Sequence, residues 1–270
     1  MSSGVKPTTI DEYERWLTKT HGVKTLPQMP NYFKSVAEAI RTAFENSAFW
    51  QTLCDKSLKE FDERYKLAHD NYPLLISADP PQLCAKSYAS FLQKTFRYNV
   101  LQNREWPAAP IRGGIQDWLL PSNWMTRIND IIRCCFVVKY LDGVESLMTD
   151  VTQLATSLGL TTNSYYVAED DGYYAAHAYI SFQVDIPKLD WDTTTITATI
   201  ELQVTTQLQD VIRRLLHRHY EARRAIAPTT DKWQWNYSSD EFATNYLGHI
   251  LHYAEGMIVD VRDNRKGKRP

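Results

Sequence analysis

No apolar run in this chain reaches bilayer-spanning length, and its polar start, residues 1–9, lacks the apolar core of a secretory signal. Both absences argue against a membrane or exported protein. Cysteine is scarce: Cys54, Cys84, Cys134 and Cys135 are the four, and no Cys-x-x-Cys spacing occurs. A disulfide scaffold is therefore excluded, and buried, reduced thiols in a cytoplasmic protein are expected. Charge of one sign is lacking too, since 30 Lys and Arg face 32 Asp and Glu. The chain as a whole is thus not drawn to nucleic acid or membrane surfaces. There is no internal repeat and no low-complexity domain. Aromatics are abundant, with 16 Tyr and 8 Trp, which signals a well-packed core and, less often, a base-stacking surface. A length of 270 residues suits one large domain, or a domain with a helical extension, with a core that needs no staples.

The strongest pattern is Thr195–Thr206, where Ile196, Ala198, Ile200, Leu202 and Val204 alternate with Thr, Glu201 and Gln203. Period-two alternation among β-branched residues predicts a strand with one face on a core. Glu201 on the polar face is either solvated or a placed ligand. A second alternation buries Ala176, Ala178, Ile180, Phe182 and Val184 and turns His177, Tyr179, Ser181 and Gln183 the other way. A third strand is expected over 128–140 with Asp130 at its entrance, and a short one over 72–77.

Helical spacing is expected for 10–19 behind a Thr9 cap, for 33–70 with a break at Asn46-Ser47, and for 82–103. In the last of these Lys86, Ser90, Lys94 and Arg97 fall along one stripe, which is a solvated basic face or a rail for polyphosphate. A helix after Asp142-Gly143 stops at Gly159. The helix over 207–225 is expected to bury Val211, Ile212, Leu215, Leu216 and His219 and to show a basic face with Arg213, Arg214, His217 and Arg224. A last helix spans 241–257, and a basic tail, 262–270, is expected to be disordered, as are residues 1–9.

These positions, taken in order, resemble the synthetase domain of the RelA/SpoT family over residues 72–224. Lys86, Ser90, Lys94 and Arg97 match its ATP-binding helix, Asp130-Ile131-Ile132 its metal-binding strand, and Gly172-Tyr173-Tyr174-Ala175-Ala176-His177 its Gly-Tyr-Arg-x-x-His turn. Glu201-Leu202-Gln203-Val204-Thr205-Thr206 matches Glu-x-Gln-x-Arg-Thr, and His217 falls where the family has a helix His. The resemblance implies an α+β fold of nucleotidyltransferase type, with a mixed, largely antiparallel sheet of about five strands surrounded by helices. It implies an N-terminal helical extension over 1–71, a synthetase domain over 72–227 and a C-terminal helix with basic tail over 228–270.

As function it implies a Mg²⁺-dependent pyrophosphokinase that moves the β,γ-diphosphate of ATP to a ribose 3′-hydroxyl, with a guanosine nucleotide as acceptor. Asp130 and Glu201 would be catalytic and hold the metal. Lys86, Ser90, Lys94, Arg97 and Arg133 would bind ATP, and Tyr173, His177, Gln203 and His217 the acceptor. Family arginines are replaced at Cys84, Cys135, Tyr174 and Thr205, with Arg133 as one compensation, and Leu216 replaces a Glu. Those losses leave open a toxin acting on the 3′ end of tRNA or on an adenosine nucleotide, with an antitoxin partner. They also leave open a degenerate domain that only binds nucleotide or protein.

Overall fold

The computed structural model describes residues 5–23, 28–77, 79–188, 192–224 and 233–264, and the side chains of all of these but 216–224. Helices come first: α1 (Ile10–His21), α2 (Met29–Glu45), α3 (Ala48–Thr52) and α4 (Leu58–Ala68), the last two joined by a π-helical turn, Leu53–Ser57. Then follow β1 (Cys84–Ala85), α5 (Tyr88–Phe96) with a π-helical turn at Arg97–Leu101, and a small ribbon of β2 (Ile111–Arg112) and β3 (Ile115–Gln116). Next come α6 (Trp124–Arg127), β4 (Ile132–Val138), α7 (Asp142–Ser157), β5 (Thr161–Ala168), β6 (Tyr174–Pro187) and β7 (Thr193–Thr206). The chain closes with α8 (Gln207–Arg224) and α9 (Asp240–Asn264). The architecture is the expected α+β one, with a five-stranded sheet in the order β1-β4-β7-β6-β5.

The alternation of β7 is realised: Ala198, Ile200, Leu202 and Val204 are at most 1% exposed. From Glu201 onward the polar face is buried as well, which a solvated carboxylate would not be. β5 pairs antiparallel with β6, setting Tyr165 opposite His177.

The chain divides into two compact units: Met1–Ala43 with Cys84–Ile132 and Phe182–Ile200, and Phe44–Leu83 with Arg133–Ser181 and Glu201–Pro270. In the first, Thr9 caps α1, whose Tyr13 and Leu17 pack on Leu92, Phe96 and Val100. In the second, Asp62 accepts the N–H groups of Leu74 (2.8 Å) and Leu75 (3.2 Å), and Arg262 closes on Asp142 (2.7 Å) and the Tyr65 hydroxyl (2.8 Å).

Several expectations are corrected. Residues 72–77 form no strand but a single bridge, Leu75 to Val138, because Asp62 takes the Leu74 N–H that would continue the pairing. The helix expected from 82 begins only at Tyr88, since Ser87 is its cap and β1 precedes it. The strand expected over 128–140 is confined to β4, because the chain turns at 129–131 after α6 and bends again at 139–140. β5 has no signature in the sequence, because its residues are largely exposed on both faces and show no alternation.

In α8, Val211 and Leu215 are 48% and 71% exposed, and Gln209, Asp210 and Ile212 form the buried side. Leu216, His217 and His219 lie outside the described side chains. Arg262 is not part of a free tail but is buried in α9, and residues 265–270 lie outside the described ones. At the other end 1–4 lie outside as well, while Lys6 reaches the Asn103 carbonyl (3.4 Å) and Thr8 bonds Glu12 (2.8 Å), so 5–9 are tied down. No disulfide joins the described cysteines, but Cys84 is exposed where a buried one was expected.

Candidate active site

Two clusters, one in each unit, gather Asp130 with Lys86 and Lys94, and Glu201 with Gln203, His177 and Tyr173. In the first unit Asp130 sits in the turn before β4, 9% exposed. Lys86 Nζ lies 2.9 Å from its Oδ2 and Lys94 Nζ 2.7 Å from its Oδ1. The Lys86 N–H donates to the Ile131 carbonyl (2.8 Å), which fixes Lys86 beside the acid, and Lys94 reaches it from the second turn of α5. Burial pushes the Asp130 carboxyl up, but the two ammonium groups outweigh it and hold it at about 2. Both carboxylate oxygens thus carry a cation.

Ser90 is exposed and bonds Ser87 (3.0 Å), and Arg97 opens the π-helical turn. Lys86 stands before the helix, so the four residues form no single stripe. The convergence is on Asp130 and involves the two lysines.

In the second unit Glu201 is 5% exposed. The Gln203 amide donates to its Oε1, Tyr179 donates to Oε2 (3.3 Å), and His177 Nδ1 stands 3.6 Å from Oε1. Tyr173 Oη lies 3.2 Å from His177 Nε2, and Tyr165 shares a hydroxyl contact of 2.7 Å with Tyr179. The β6/β7 register produces this row, since odd-numbered residues of both strands share one face. Tyr173 follows Gly172, whose φ of +81° is the left-handed conformation a glycine takes without strain. Burial raises the Tyr173 phenol, with Cys135 and Glu201 adding to the effect, so it stays protonated.

The positions that lack an arginine are also placed. Cys135 is half-buried, its thiol pushed up by burial to about 11. The Thr205 hydroxyl bonds the Tyr174 carbonyl (3.2 Å), and Cys84 faces solvent. Cations come from elsewhere: Arg133 and Arg213 both act electrostatically on Cys135 and Tyr173, and Arg213 pairs with Asp210 at 2.7 Å. Arg213, Tyr179 and Tyr165 lie in this cluster although no motif marks them. Tyr179 carried a usable signal, as it lies on the same strand face as His177. Arg213 carries only its place on the expected basic face of the helix over 207–225, and Tyr165 carries none.

In comparison with solved structures the chain is similar to small alarmone synthetase 1 from Bacillus subtilis, at 12% identity over 95% of this chain and 99% of that one, with a TM-score of 0.50. A GTP pyrophosphokinase family protein from Streptococcus pneumoniae is similar at 14% identity over 96% and 98% of the two chains, with a TM-score of 0.45. No protein-family model matches the sequence, and no curated protein does. At such identities the first likeness establishes a shared fold: a five-stranded α+β sheet surrounded by helices.

Proposed function

We propose that the chain is a pyrophosphokinase that transfers the β,γ-diphosphate of ATP to the ribose 3′-hydroxyl of a nucleotide, with a guanosine nucleotide as first choice. The observation that carries this reading is the buried Asp130 held between Lys86 and Lys94. A buried carboxylate with two ammonium groups is an electrostatic seat that a metal–phosphate group can enter by exchange: the metal takes the carboxylate and the phosphates take the lysines. The shared fold with a small alarmone synthetase supports the same reaction class.

Mg²⁺ fits the donor set, because Asp130 is ionised throughout the neutral range and Mg²⁺ needs only one or two carboxylates when phosphates and water complete its shell. Asp130 would hold it, with Glu201 as the second acid that the resemblance assigns. When bound, the metal would neutralise phosphate charge. Lys86, Lys94 and Arg97 would hold the donor phosphates, with Ser90 and Arg133 as further contacts. Glu201 would take the proton of the attacking hydroxyl while an O3′–Pβ bond forms and the bond from Pβ to the bridging oxygen breaks, releasing AMP. Gln203 and Tyr179 orient that carboxylate. Tyr173 would stack on the acceptor base, and His177, His217 and Arg213 would meet its ribose and phosphates.

The test is an acceptor screen with ATP labelled at the γ position, Mg²⁺, and GDP, GTP, ATP or bulk tRNA. AMP release with a labelled guanosine product is expected. Label on tRNA or adenosine nucleotide alone would move the acceptor, and absence of AMP with every acceptor would overturn the reading.

A further inference from the structure

The turn that carries Tyr173 is gripped by α9. Gly172 and Gly248 meet so closely that a Cβ on Gly172 would lie 2.4 Å from the Asn245 carbonyl oxygen, and one on Gly248 2.4 Å from the Gly172 carbonyl oxygen. Tyr174 Oη stands 2.8 Å from His249 Nδ1, and its ring stacks on His252 with centroids 3.7 Å apart and planes 2° from parallel. His249 Nε2 lies 3.0 Å from the Asp170 carbonyl oxygen. A carbonyl only accepts, so Nε2 bears the proton, and on a neutral ring Nδ1 then accepts from the Tyr174 hydroxyl.

The turn is also bonded within itself: Gly172 N–H to Glu169 O (3.0 Å), Glu169 N–H to Tyr173 O (3.0 Å) and Tyr173 N–H to Asp171 Oδ1 (3.2 Å). The Gln209 amide donates to Gly248 O (3.1 Å) and anchors the helix from the start of α8. Tyr174, the centre of the grip, is one of the positions at which this chain departs from the motif it resembles.

We propose that α9 is a clasp on this turn, and that Gly248, His249 and His252 are positioning residues that set the pose of Tyr173. Its use in acceptor binding rests on the function proposed above. The clasp acts further than one ring, because Tyr173 bonds His177 and His177 stands beside Glu201. Backbone on backbone at Gly172 and Gly248 leaves no slack, and the two histidines fix the turn in rotation about that contact.

The experiment uses the full chain with His249→Ala, His252→Ala and His252→Phe. Acceptor KM is expected to rise roughly tenfold in both alanine variants, the scale of losing one aromatic or hydrogen-bonded contact, with donor KM unchanged. His252→Phe, which keeps a ring on Tyr174, restores it. Amide exchange over 170–174 should accelerate by a similar factor in His252→Ala while the melting temperature of the chain holds. Donor and acceptor KM moving together, no rescue by Phe, or unchanged exchange would each overturn the clasp. If the wild-type chain releases no AMP with any acceptor, the function proposed above fails, and the exchange measurement alone decides the clasp: acceleration upholds it and unchanged exchange overturns it.

Discussion

At the scale of single residues, two acids are buried for different reasons. Glu201 is surrounded by neutral donors and a histidine, so replacing it by its amide alters charge with little change of shape. Glu201→Gln should lower the rate of AMP formation by about 10²–10⁴-fold, the usual worth of a general base, with thermal stability kept. A kinetic assay beside a melting curve separates the two effects. Asp130 is buried against two cations, and its carboxyl lies well below the unfolded value of about 3.9. Its contribution, on the order of 2 kcal/mol, is therefore fully present above about pH 4 and lost as pH falls through about 2. The stability gap between wild type and Asp130→Asn should be constant near neutrality and close in acid. A gap that stays open at pH 2, measured by denaturant titration, would contradict the ion-pair geometry.

At the scale of elements, caps and turns decide where chemistry can sit. Ser87 begins α5 by accepting the Ser90 N–H (3.2 Å), and this start puts Lys86 beside Ile131 and not on the helix. Ser87→Ala should cost about 1 kcal/mol, read as a lowered denaturation midpoint, and should raise donor KM by freeing Lys86. A fall in stability with donor KM untouched would mean that Lys86 is placed by β1 alone. The Gly172 turn shows the same dependence, since no side chain fits between it and α9. Gly248→Ala should cost 1 kcal/mol or more by forcing backbone apart, measurable by thermal unfolding.

At the scale of the whole molecule, Arg262 ties the end of α9 to Asp142 at the start of α7 and to Tyr65 of α4, with only 3% of its side chain exposed. Arg262→Ala should destabilise by roughly 1.5–3 kcal/mol, because it removes charge-assisted hydrogen bonds from Asp142, which keeps the Tyr65 hydroxyl and some contact with solvent. A melting curve that moves as little as for an exposed arginine would rule this out.

Alternation alone placed β6 and β7 and put His177, Tyr179, Glu201 and Gln203 on one face, because a strand's period of two depends on nothing but local backbone geometry. Composition and spacing likewise marked α1, the break at Asn46-Ser47 and α7. Local signals could not place Lys86 and Lys94 on the two oxygens of Asp130, which lies far along the chain. Nor could they reveal that Arg262 is buried, that β5 exists, or that α9 grips the Gly172 turn. Each of these depends on a partner remote in sequence, and only the packed chain brings such partners within the few ångströms at which hydrogen bonds, charge and steric contact act.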